Sequence, residues 1–380
     1  MIRTRSGVTS HAIVFQGLLT LIIPGLTSAG NAADRHRIAD ASQAVQGRTG
    51  SSDTSQVVRR QQRVMGTTLE ITVLAQSRSL ALAASEAATC AVAEVDRRLS
   101  TWREDSALSA VNNRDSDQPV GVSPLLARDL AEALRWHDIT NGAFNPGLGS
   151  LVSAWDLRGQ GRVPSDAELH EALVASAMDG TMLVDRTLHL GRPGLQFEEG
   201  GFGKGVALRD ALDAALGSGA QCVVLDFGGQ VAVGGECGAT AIGVADPNDR
   251  ENEVAVLELF EGSAATSGLS ERAFVFDGIS YGHILDPRSG TPAPDWGSVT
   301  VVTSDPVAAD CLATALFVMG PKAGGEWLQG RPEIEAVFVE RSGEATKMTA
   351  TPGLKGRLEV SIGNLTYLQQ EQIRIEESTH

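Results

Sequence analysis

The sequence predicts an α+β fold of mixed sheets packed with helices, on three observations. Strand-like and helix-like runs follow one another irregularly, without the regular alternation that builds a doubly wound parallel sheet. Short apolar runs joined by tight turns, such as residues 223–227 and 231–233 around Gly228-Gly229-Gln230, predict hairpins. Several longer stretches carry helix start and stop signals. With 380 residues the chain can form one large domain or two, and 42% apolar residues are enough for a substantial core. No internal repeat organises it.

The first residues read as a signal peptide, residues 1–33. Arg3 and Arg5 supply the positive start, residues 12–23 a short apolar run, and residues 28–33 small side chains for cleavage. The alternative is an uncleaved anchor, but the run is well short of the ~20 residues a bilayer needs. No cysteine closes the segment, so a lipoprotein anchor has no attachment point here. Residues 34–60 are polar and without periodicity, which predicts a disordered spacer. A folded domain is expected over residues 61–365, and a polar tail over 366–380.

Within that domain, residues 68–74 alternate as a strand does, and residues 80–99 are Ala-rich with apolar positions at helical spacing. Ser123-Pro124 is a helix start, and Asn141-Gly142 is the matching stop. Ser165 and Glu168 form a capping box for a helix running to about residue 177. Residues 204–216 read as helical, ending before Gly217. Cys222 and Cys237 flank the predicted hairpin and could face each other as a disulfide; all four cysteines could equally be small buried apolar residues.

Charge excludes some partners. A formal charge of −16 argues against a nucleic acid or an anionic membrane surface, which need clustered Lys and Arg.

The chemistry concentrates between Tyr281 and Gly320. Asp310 and Thr314 stand four apart, so on a helix both oxygens share one face, a reasonable half of a hard-cation site. His283 upstream is a candidate base, although alone it also reads as a hydrogen-bonded structural histidine. Asp286-Pro287-Arg288-Ser289-Gly290 reads equally well as an ordinary turn. The glycine-rich run after Glu198 is not a Walker A loop, because Glu198 stands at its first glycine and Gly205 at its Ser or Thr. Glycines ahead of a helix, with Lys204, still suit an anion, although a block of this kind taken alone reads more readily as a tight turn.

The run from Gly282 to Pro292, with Ser298-Val299-Thr300-Val301 and Ala309-Asp310-Cys311-Leu312-Ala313-Thr314, resembles the signature of the ApbE family of FAD:protein FMN transferases. Further blocks occur in the family's order: Met65-Gly66-Thr67, Ser100-Thr101-Trp102 leading to Asn112, Asn141 to Pro146, Gly200 to Gly205, Phe227-Gly228-Gly229 and Ala265-Thr266-Ser267-Gly268. The resemblance spans roughly residues 64–339, and ordered blocks are more specific than any single one.

The resemblance implies a T-fold-like α+β architecture and Mg²⁺-dependent transfer of FMN from FAD, the substrate, to a threonine of an acceptor protein, with release of AMP. It implies Gly201, Asp310 and Thr314 as metal ligands, His283 and Asp310 as the catalytic pair, and Met65, Trp102, Ala143, Phe144, Asn145, Glu198, Lys204 and His283 around FAD. It also implies export to the periplasm and a membrane or periplasmic redox protein as acceptor. Trp102 replaces the family's usual tyrosine, keeping a stacking surface. Asn145, Gln230 and Arg209 each stand where the family commonly has Asp, Gly147 where it has Thr, and Glu198 where it has Asp. These departures leave open an FAD pyrophosphatase giving FMN and AMP, or a non-catalytic FAD-binding maturation factor.

Overall fold

The computed structural model describes residues 55–114, 118–269, 273–342 and 345–369. The expected signal peptide, most of the spacer and most of the polar tail lie outside the described residues. The chain enters the fold at Gln56–Val64 (β1), turns at Met65-Gly66, and returns as Thr67–Ala75 (β2) in antiparallel register. Residues 56–60, expected as the end of the spacer, are therefore strand. β1 is an edge strand whose outer face meets solvent, so its Arg and Gln residues masked the pattern.

Helices form where their caps are written. Arg78–Leu99 (α1) starts at Ser77, whose hydroxyl accepts from the Leu80 amide; Ala107–Asn112 (α2) starts in the same way at Ser106. After Val120–Gly121 (β3) comes Pro124–Ile139 (α3), capped by Ser123 and ended by Asn141 and Gly142 in left-handed conformation. Gly149–Ala154 (α4) precedes Asp166–Ala175 (α5), where both bonds of the Ser165/Glu168 capping box are made.

Met182–Val184 (β4) and Thr187–His189 (β5) join β3 in a small sheet. Gly203–Gly217 (α6) leads into the hairpin Cys222–Phe227 (β6) and Gln230–Gly235 (β7). There follow Thr240–Ala245 (β8), Glu253–Leu259 (β9), Gly262–Gly268 (β10), a second hairpin Ala273–Phe276 (β11) and Ile279–Gly282 (β12), and Gly297–Thr303 (β13). Pro306–Leu328 (α7) is long and apolar enough to cross a bilayer but is mostly buried inside the fold, and Gly320, at φ 76°, breaks it ahead of Pro321. Glu335–Ser342 (β14), Ala345–Ala350 (β15), Leu358–Val360 (β16) and Asn364–Tyr367 (β17) complete the chain's described elements.

The main sheet has nine strands in the order β1-β2-β6-β7-β10-β13-β14-β15-β17, antiparallel throughout except for β15 with β17. Its faces differ by the period of two. Leu69, Ile71, Leu225 and Phe227 turn to one core, shared with α1, α6 and α7; Val224, Val231 and Val233 turn to another, shared with the sheet β16-β9-β8. The expected mixed α+β packing is thus what forms. Cys222 and Cys237 are joined by a disulfide at the end of the β6–β7 hairpin, with Cα atoms 4.8 Å apart.

Candidate active site

The site is built where two helix N-termini meet. α6 has no side-chain cap of its own; instead the Gly205 amide donates to Asp310 Oδ2 of α7 at 2.9 Å. Such an approach needs glycine: a Cβ at 205 would lie 2.5 Å from the Pro306 carbonyl oxygen and 2.7 Å from Val307 Cα. Lys204 Nζ stands 3.3 Å from Asp310 Oδ1, and Asp310 itself is buried. The 3₁₀ turn Glu199–Gly201 packs on the same helix, since a Cβ at Gly201 would be 3.2 Å from Thr314 Oγ1 and 3.0 Å from the Phe144 ring. Gly201, Lys204, Asp310 and Thr314, four residues expected from the sequence, are therefore brought together.

Their donors are all hard: one carboxylate, a hydroxyl and a main-chain carbonyl, the kind of set that suits Mg²⁺ beside a phosphate. Among the described residues no group of three or more His, Cys, Asp or Glu is placed to hold a metal. Any ion here would rest on a single carboxylate and neutral oxygens.

A second cluster adjoins the first through Glu198 and Glu199. The Thr101 amide donates to Glu199 Oε1 at 3.0 Å, and the Thr101 hydroxyl also donates to Glu199. Arg158 pairs with Glu198 and donates to the Thr101 carbonyl oxygen at 2.8 Å. Its guanidinium lies 5.3 Å from the centre of the Trp102 ring, which is 59% exposed. Burial, reinforced by the neighbouring Glu199 charge, pushes the Glu198 carboxyl up to about 7, against the pull of Arg158. Arg158 had no signal in the sequence: it sits in an irregular loop forty positions ahead of its partner, outside every periodic stretch.

Met65, held at φ 48° in the β1–β2 turn, reaches the start of α6, where a Cβ on Gly203 would be 3.3 Å from Met65 Cε. Ala143 and Phe144 are buried, and the Phe144 ring, edge-on to Phe202, backs Gly201. Asn145 braces two loops, donating to the Ser176 carbonyl oxygen at 3.0 Å and accepting from the Gly147 amide at 2.7 Å. Gly147 fits its surroundings, because a Cβ there would fall 2.4 Å from Met178 Sδ.

His283 follows the last residue of β12 and is half-buried. The segment after it is tied to α7 by Arg288, which donates to the Val318 carbonyl oxygen at 3.3 Å. Asp286 takes the turn alternative: its carboxylate accepts from the Arg288 amide at 2.9 Å and pairs with the Arg288 side chain.

Two further departures have structural roles. Gln230, fully buried, donates to the Pro306 carbonyl oxygen at 2.7 Å and to Ser263 Oγ at 3.0 Å, fixing the start of α7. Arg209 donates to Asp129, Glu132 and Asp210, inside a network that also contains Arg98 and Arg128.

Residues 65–338 match the ApbE family. The chain belongs to the ApbE family. An FAD:protein FMN transferase of Treponema pallidum is 32% identical over 262 residues, which cover 63% of this chain and 72% of that protein. One of Vibrio cholerae is 28% identical over 270 residues, covering 69% and 80%. Among solved ApbE structures, the flavin transferase of Vibrio cholerae superposes with a TM-score of 0.70 at 27% identity, covering 80% of this chain and 99% of that one. The ApbE protein of Thermotoga maritima gives 0.69 at 29% identity, covering 75% and 94%. All the blocks from Met65 to Thr314 fall inside the ApbE match, as does the Lys204–Asp310 contact.

Proposed function

We propose that this ApbE-family chain is an FAD:protein FMN transferase that joins FMN to a threonine hydroxyl of an exported or membrane redox protein. Family membership supports the flavin transfer. The observation that supports phosphate chemistry at this site is the ion pair of Lys204 with the buried Asp310 carboxylate, with Gly201 packed on Thr314 of the same helix.

The threonine oxygen forms a bond to the FMN-side phosphorus of FAD, the bond from that phosphorus to the bridging oxygen breaks, and AMP leaves with that oxygen. The hydroxyl proton passes to His283. Lys204 and the α6 N-terminus offset pyrophosphate charge, and Met65, Trp102 and Glu198 border the dinucleotide. Asp310, the Thr314 hydroxyl and the Gly201 carbonyl would hold Mg²⁺. A bound Mg²⁺ would neutralise charge developing on the phosphates. Export with a cleaved signal peptide, and hence a periplasmic location, is part of the same proposal, resting on the composition of residues 1–33.

The test is chromatography of AMP and flavin after incubation with FAD and Mg²⁺, with and without a threonine-bearing peptide. AMP together with peptide-bound flavin is the expected result. AMP without any acceptor would mean a pyrophosphatase, and intact bound FAD throughout would mean a carrier.

A further inference from the structure

We propose that Arg158 is a positioning residue that presents Trp102 as a stacking platform for a planar ring of FAD and ties it to the Glu198 wall of the pocket. This rests on the transferase reading above, and it assigns a role to a residue of this chain that no block of the family pattern contains.

The geometry is that of a clip. Arg158 reaches out of the loop after α4 and makes polar contacts with two other segments: the main chain and side chain of Thr101, and the carboxylate of Glu198. The guanidinium simultaneously lies over the indole of Trp102, the residue next to Thr101. A planar guanidinium can donate in its plane and stack on its face at once, which an ammonium cannot.

Trp102 is otherwise hard to explain. A large aromatic side chain that remains 59% exposed leaves most of its surface to water, and exposed aromatic surface beside convergent polar groups marks a binding surface. With the guanidinium on it, the ring is held in one orientation before any ligand arrives, which lowers the ordering cost of stacking. Glu199, whose carboxylate receives both the amide and the hydroxyl of Thr101, continues directly into Gly201. The platform and the Asp310 cluster are thus parts of one connected wall. An isolated surface ion pair would contribute little and would not need this arrangement.

The experiment measures FAD affinity, AMP release at saturating FAD and thermal unfolding for wild type, Arg158→Ala, Arg158→Lys, Trp102→Ala and the Ala/Ala double variant. Arg158→Ala is expected to weaken FAD binding about tenfold, the scale of one desolvated aromatic or cation–π contact, while saturated turnover stays within about twofold. Trp102→Ala should weaken FAD binding by a similar factor, and the double variant should bind FAD no more weakly than the worse single one, because both act through one platform. Arg158→Lys, which keeps the charge opposite Glu198 and protects the fold, should recover less than half of the affinity.

FAD affinity in Arg158→Ala equal to wild type, or losses that simply add in the double variant, would overturn the proposal while leaving the transferase intact. A wild-type protein that binds no FAD would overturn the transferase reading and this one with it.

Discussion

On one face of the nine-stranded sheet lie α1, α6 and α7; on the other lies the sheet β16-β9-β8. Strands β6 and β7 feed both, with alternate residues turned each way. The helical face is where backbone polarity is left over at helix ends, and those ends are satisfied from a distance, as Gly205 is by Asp310. The sheet face satisfies its backbone in its own ladders and adds a disulfide. None of the candidate site residues belongs to its apolar core. The same strands thus give stability on one side and, on the other, positions from which groups can be aimed.

Asp310→Asn should separate the two faces most sharply. It keeps the side chain's size and an acceptor for the Gly205 amide, yet should lower AMP release by about 10²–10³-fold, the range for removing one preorganised electrostatic group, with little change in melting temperature. The reverse should hold for Cys222→Ser with Cys237→Ser. The disulfide closes a separation of 15 residues, so its loss should cost about 3 kcal/mol in denaturant unfolding with KM for FAD unchanged. If KM rose, the faces would be coupled.

Gly205→Ala should damage both properties, because the added Cβ would meet the Pro306 carbonyl oxygen and push apart the helices that hold Lys204 and Asp310. About 1–3 kcal/mol of stability and a clear fall in turnover are expected together. The smallest effect concerns pH. Burial, with a hydrogen bond to Asp305 at the cap of α7, raises the Glu132 carboxyl from 4.5 to about 7, against Arg209 and Arg135. The folded state then keeps a proton that the unfolded chain has released, so stability falls as pH rises from 4.5 to about 7. Glu198, raised in the same direction, adds to the slope. Glu132→Gln should reduce that slope and stabilise the protein above pH 7 by about 1 kcal/mol, after allowance for partial solvent exposure, as read from melting at pH 5 and pH 8.

Much of this was legible in the residues. Caps at Ser123 and Ser165 fixed two helix starts, because a cap is a local interaction written within four positions. The β6–β7 hairpin was legible from its short turn, whereas the Cys222–Cys237 disulfide was one of two open readings that the structure decides. Asp310 and Thr314 could be placed on one helix face by spacing alone, but their meeting with Gly201 and Lys204 joins segments more than a hundred residues apart, and only the ordered blocks hinted at it. The departures were legible as substitutions and not as structure. Arg209 appeared as a lost carboxylate, whereas it bridges three acidic residues, and Asn145 appeared as a pocket residue, whereas both ends of its amide hold loop backbone. Arg158 was invisible because nothing in an irregular loop announces what lies across from it.

The contact between α6 and α7 also bears on inheritance. At Gly205 the functional feature is an empty volume, and every missense change of a glycine codon adds a side chain to it. No conservative replacement exists, so selection at this position should be close to all-or-none. At Lys204, one residue earlier and 28% exposed, an arginine could still carry the charge. In a population of variants, the site's most intolerant position would be one that contributes no side chain at all.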